Sequence, residues 1–96
     1  MDLPLLDHES IRKLIRSVSE DCGKRVQDRR VELGLTEQTL ADAIGTNLIT
    51  VKRIERGEQM PRDRVRYAIA FALATDVEKL FPYPDRSKIA EAKVAA

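Results

Sequence analysis

Aromatic residues are scarce in this chain. Tryptophan is absent, and phenylalanine and tyrosine together make up 4% of 96 residues. A core must therefore be aliphatic, built from leucine, isoleucine, valine and alanine. Hydrophobic residues reach 43%, enough for one modest core in one small domain. Cys22 is the single cysteine, which excludes an internal disulfide and fits a reducing compartment. His8 is the single histidine, so there is no Cys/His cluster of the kind zinc requires. No glycine-rich phosphate loop precedes a helix. Ser10, Ser17 and Ser19 have only His8 as a base, and read as caps and surface. These absences speak against an enzyme and against a metal, cofactor or small-molecule site. No apolar run approaches membrane-spanning length, and the acidic N-terminus lacks a cleavable apolar core. A cytoplasmic, nucleoid-associated location is the expectation.

Charge of one sign is also lacking overall, since the net charge is +1. The distribution is uneven. Residues 1–22 carry three basic and five acidic groups, net −2; residues 23–66 carry ten and seven, net +3; the remainder is neutral. Six of the ten central basic residues fall between Lys52 and Arg66. That is a local patch, which by itself is as consistent with a solvated face as with a polyanion site.

What is present is helix-forming. Alanine, leucine, glutamate and arginine dominate, and period-two alternation is rare. Ile11, Leu14, Ile15 and Val18 recur at i, i+3, i+4 and i+7, with Arg12, Lys13 and Arg16 on the other side. This predicts an amphipathic helix over about 8–21, capped by Asp7 or Ser10, whose stripe buries in the same chain or against a partner chain. Gly23 is expected to break or kink it. Val26, Val31 and Leu33 form the next helix, ended by Gly34. Residues 62–74 read as a further core helix with Val65, Ala68, Ile69 and Ala72 inward and Leu73 near its flank. Thr75 or Asp76 caps a short helix over 77–81, stopped by Pro82 and Pro84. Three parts result: 1–22 as an N-terminal amphipathic helix, 23–82 as the main domain, and 83–96 as a tail or short helix. The terminal KVAA reads as a frayed tail or as a degradation signal.

The most informative stretch runs from Thr36 to Gly57, TEQTLADAIGTNLITVKRIERG. Thr36 is a good N-cap, Leu40, Ala41 and Ile44 follow at helical spacing, and Gly45 sits where the chain must turn. Thr46 or Asn47 recaps the chain, and Val51 and Ile54 supply a second buried stripe before Gly57. Helix, glycine turn and helix form a helix-turn-helix pattern. Ile49, Thr50, Lys52, Arg53 and Arg56 are left outward, and Leu48 is either core or outward. Exposing Ile49 beside Arg53 suits a helix in the DNA major groove, where apolar groups touch thymine methyls and arginine forks onto guanine.

ELGLT, LADAIG, IERG, the proline after it and a closing helix ending in LF occur in this order between about Gly23 and Phe81. Together they resemble the DNA-binding domain of the lambda-type repressor and Cro (XRE-type) family. The resemblance implies an all-α fold, a compact bundle of about five core helices, here with an extra N-terminal amphipathic helix. It implies base contacts from Asn47, Leu48, Ile49 and Arg53. It implies backbone contacts from Thr36, Gln38, Thr46, Thr50, Lys52, Arg56 and Arg62, with Thr46 and Thr50 reaching phosphate or base. Arg64 and Arg66 widen the patch or are solvated. Arg30 and Glu55 match a pair that forms a buried ion pair in some relatives. Glu37 departs from the family, which has glutamine there; a carboxylate repels phosphate and leaves the backbone N–H groups for that role.

The function implied is a sequence-specific, double-stranded DNA-binding transcriptional regulator of phage-immunity or mobile-element type. It would repress by placing helix 47–56 in the groove of an operator, as a monomer or as a homodimer on a palindrome. The alternative is an antitoxin or protein-interaction module on the same fold.

Overall fold

A computed structural model describes residues 7–82. Five helices follow in order: α1 (His8–Glu32), α2 (Glu37–Ile44), α3 (Leu48–Glu55), α4 (Asp63–Ala72) and α5 (Val77–Leu80). No strand occurs among the described residues, and the fold is all-α. The expected tail or short helix over 83–96, with its KVAA end, lies outside them.

Helix α1 begins where Asp7 accepts the backbone N–H of Ser10 at 2.7 Å. That hydrogen bond holds the Asp7 carboxyl below its usual pKa. The helix then runs 25 residues without interruption, about 37 Å at 1.5 Å per residue. The expected break at Gly23 does not occur. Gly23 is buried within the helix, and a Cβ there would clash with the carbonyl oxygens of Ile54 and Glu55. The glycine serves close approach of two helix backbones, not a turn.

Contact with the rest of the fold divides α1 in two. Its C-terminal part contributes Cys22 and Val26 to the core. Burial pushes the Cys22 thiol pKa up, which keeps it protonated and unreactive. In the N-terminal part only Val18 packs against the core. Leu14 is half-buried, while Ile11 and Ile15 are 40% and 58% exposed. The apolar stripe predicted for this segment is therefore mostly uncovered. Truncating Leu14 should remove little burial. Leu14→Ala is expected to cost about 1 kcal/mol in urea unfolding, below the 2–5 kcal/mol of a fully buried leucine. A loss above 3 kcal/mol would show that this turn is covered.

The core is mainly aliphatic, as composition leads one to expect, with Phe81 its one aromatic side chain among the described residues. Leu40, Ile69, Leu73, Val26 and Val51 are its largest fully buried side chains. Leu73, expected at a flank, lies at the centre with no exposed surface. The reason is the end of α4. Ala74 takes φ 51°, turning the chain so that Leu73 points inward and Thr75 donates its N–H back to Ala70 at 3.0 Å. Arg29 secures this turn by donating to the Leu73 and Ala74 carbonyls at 2.9 and 3.1 Å. On the far side of α4, Tyr67 and Phe71 stand 65% and 90% exposed.

Candidate nucleic-acid interface

Helices α2 and α3 form the turn motif. Thr36 caps α2, accepting the Thr39 N–H at 3.0 Å, and its hydroxyl lies 2.8 Å from that of Thr39. Helix α2 stops because Gly45 enters the left-handed region at φ 73°. The N–H groups of Gly45 and Thr46 return to the carbonyls of Asp42 and Ala41 at 3.3 and 2.9 Å. This double closure satisfies carbonyls the helix end would otherwise leave open. Asn47 then caps α3 by accepting the Thr50 N–H at 2.8 Å. Only two residues separate α2 and α3 apart from Gly45, so the turn is rigid.

Helix α3 presents two faces. Val51, Ile54 and Glu55 are buried. Ile49 is 61% exposed, and Arg53 and Arg56 are exposed with it. Arg53 lies four positions after Ile49, one helical turn on, so both project to one side. Leu48, Thr50 and Lys52 are half-buried at the edges of that face. Thr46 is half-buried and Asn47 is exposed. Arg53, Arg56, Arg62 and Arg64 make no ion pair or side-chain hydrogen bond among the described residues. Arg62 is the N-cap residue of α4 and is exposed.

Other basic and amide side chains are occupied. Gln38 donates to Asp42 within α2 at 2.9 Å. Lys52 donates to Glu37 at 3.2 Å, joining the two helices of the motif. Arg66 does not widen the patch. It turns inward, donating to the Pro61 carbonyl at 2.8 Å, approaching Asp63 at 3.4 Å and stacking over the Phe81 ring at 5.9 Å. Two arginines outside the expected set lie beside the C-cap of α3, one of them, Arg16, paired with Glu20 at 3.1 Å. Arg12 and Arg16 of α1 line one groove with Arg56, Gly57 and Glu58. Their i, i+4 spacing was visible in the sequence, but their approach to α3 depends on α1 being continuous.

Behind α3, Arg30 and Glu55 form a two-pronged ion pair of 2.8 and 3.0 Å. They are 9% and 7% exposed. The Glu55 hydrogen bond holds the Arg30 guanidinium pKa above its usual value, against the opposing effect of burial. Arg30 also donates to the Leu35 carbonyl at 2.8 Å. One side chain thereby links α1, the α1–α2 loop and the C-terminal end of α3.

No group of three or more His, Cys, Asp or Glu among the described residues comes together to hold a metal ion. No helix among them is long and apolar enough to cross a membrane.

Comparison with known proteins agrees with this geometry. A transcriptional regulator from the ATPase CF(0) region of Rhodospirillum rubrum, uncharacterized, is 36% identical over 73 residues, covering 76% of this chain and 68% of that protein. An uncharacterized HTH-type transcriptional regulator of Archaeoglobus fulgidus is 31% identical over 61 residues, 64% of this chain and 87% of its own length. A helix-turn-helix family profile matches residues 26–80, from the buried half of α1 through α5. With that match covering more than half of its length, the chain belongs to the XRE-type, lambda repressor and Cro-like helix-turn-helix family.

Proposed function

We propose that this protein is a double-stranded DNA-binding transcriptional regulator that reads its site with α3 in the major groove. The observation carrying this reading is the outward face of α3: exposed Ile49 one turn from Arg53, which has no protein partner among the described residues. The exposed isoleucine leaves apolar surface in water, and the Arg53 guanidinium is bonded to solvent alone; against base edges both find partners. Both relatives carry the name of transcriptional regulators, which supports the same reading. Repression of phage or mobile-element type, by occupying an operator, is the finer proposal, with a homodimer on a palindromic site as its assembly.

Roles follow from placement. Arg53 has the reach and the planar fork to bond guanine O6 and N7 together. Ile49 prefers a thymine methyl, and Leu48 and the amide nitrogen of Asn47, whose oxygen caps α3, border it. Arg56 and Arg62 contact phosphates, and Thr46 and Thr50 reach phosphate or base. Thr36, Gln38 and Lys52 lie at the α2 side of the same surface as further backbone contacts.

Binding-site selection on two variants tests this. Arg53→Ala should cost about 1–3 kcal/mol and broaden the selected site at one guanine. Arg62→Ala should weaken all sequences alike and lower the salt slope by about one unit. An Arg53→Ala protein with the wild-type site preference would show that Arg53 does not read a base. Exposed Ile49 also suits an apolar protein partner, as in an antitoxin. Affinity that stays constant as salt rises would favour that second reading, because phosphate binding weakens steeply with salt.

A further inference from the structure

Lys52 differs from the other basic residues of α3. Arg53 and Arg56 have no partner among the described residues, whereas the Lys52 ammonium meets the Glu37 carboxylate at 3.2 Å. Glu37 is the first residue of α2, and the two side chains are 41% and 26% exposed for Lys52 and Glu37. From the geometry we infer that Glu37 limits sequence-independent DNA affinity: it neutralises Lys52 and places a negative charge at the α2 end of the proposed interface. This rests on the DNA reading of α3 and adds a regulating residue to it.

The alternative role is a strut fastening α2 to α3. Magnitudes decide against it. A partly exposed lysine–carboxylate pair contributes little to stability, because solvent screens it and two long side chains lose freedom. The two helices are already joined through buried Leu40, Ala41, Val51 and Ile54 and by a short capped turn. The pair is thus dispensable for the fold but not for the field in front of it. Each unpaired cation facing duplex DNA releases a counterion on binding and strengthens every sequence alike. Glu37 cancels one such cation. It also opposes the positive end of the α2 helix dipole, which would otherwise attract phosphate. Recognition then depends more on base contacts and less on phosphate attraction, and the protein is held less on random DNA.

The test compares wild type, Glu37→Gln, Lys52→Gln and the double variant. Each is titrated across salt against a short random-sequence duplex and a duplex recovered by selection. Glu37→Gln should tighten both duplexes by the same factor, roughly three- to tenfold at low salt, and steepen the salt slope by about one unit. Lys52→Gln should weaken both, because it leaves the Glu37 charge unopposed. The double variant should lose the gain of Glu37→Gln, because the cation that Glu37 masks is no longer there. Thermal melts should leave all four proteins folded. Unchanged or weakened binding by folded Glu37→Gln, with wild type still binding in a salt-dependent way, overturns the assignment and leaves the DNA reading standing. Absence of duplex binding by the wild type at low salt overturns both.

Discussion

Arg30→Ala should destabilise the protein by about 3–5 kcal/mol, measured by urea unfolding. The magnitude comes from what remains, not only from what is removed. Glu55 is 7% exposed, and its two oxygens accept from Arg30 at 2.8 and 3.0 Å. Without Arg30 a carboxylate stays buried beside α1 with no counter-charge, and the Leu35 carbonyl loses its donor as well. A surface ion pair would cost about 1 kcal/mol or less, so the two cases are well separated. No buried side-chain nitrogen or oxygen among the described residues lacks a hydrogen-bond partner, so the site is fully satisfied in its native form. Replacing both residues by apolar ones, Arg30→Met with Glu55→Leu, should recover most of the loss, because neither charge then needs a partner. A small domain holds only about 5–15 kcal/mol in total, so Arg30→Ala alone should be largely unfolded at elevated temperature. An Arg30→Ala loss below 1 kcal/mol would mean that Glu55 finds water, and the pair would lose its structural role.

Gly23→Ala should be harmful despite favouring helix. In an open helix this change is worth about 1 kcal/mol in favour of alanine. Here the new Cβ would meet the Glu55 carbonyl oxygen at 2.6 Å and its carbon at 2.8 Å, with the Ile54 oxygen nearer still. These are backbone atoms at the end of α3, and no rotamer change relieves them. Helices α1 and α3 must separate, which costs about 1–3 kcal/mol net of the propensity gain and sometimes more. The same displacement stretches the Arg30–Glu55 pair and tilts α3, so DNA affinity should fall further than stability alone accounts for. Gly57→Ala meets a similar obstacle at the Glu20 backbone, 2.6 Å from the Cα, with a φ of +77° in addition. A Gly23→Ala protein more stable than wild type would show that α1 and α3 can separate without loss.

Gly23 also marks where local reasoning stopped. A glycine after an amphipathic run is a helix breaker on local grounds, and Gly45 behaves that way at φ 73°. Nothing within the local sequence distinguishes the two, since the reason for Gly23 is a carbonyl some thirty residues away. The same holds for Arg66, which counts as a patch cation until Pro61, Asp63 and Phe81 claim it. Ala74 carries no signal of its left-handed conformation, which is imposed by burying Leu73 and by the Arg29 hydrogen bonds.

By itself the sequence determined the elements whose causes lie within a few residues. The Thr36 cap, the left-handed turn at Gly45 and the inward stripes of α2 and α3 are local and were legible, while Asp7 and Asn47 were each one of two cap candidates between which the structure decides. Ile49, Arg53 and Arg56 were legible as outward too, because helical periodicity assigns a face once Val51 and Ile54 are placed inside, whereas Thr50 and Lys52 proved half-buried at its edges. The tertiary structure alone decided whether α1 is one helix or two, which of its apolar residues are covered, and which cations are free. Those outcomes depend on partners distant in sequence. A side chain's charge or apolar surface is known from its identity, but its cost or benefit depends on what it is packed against.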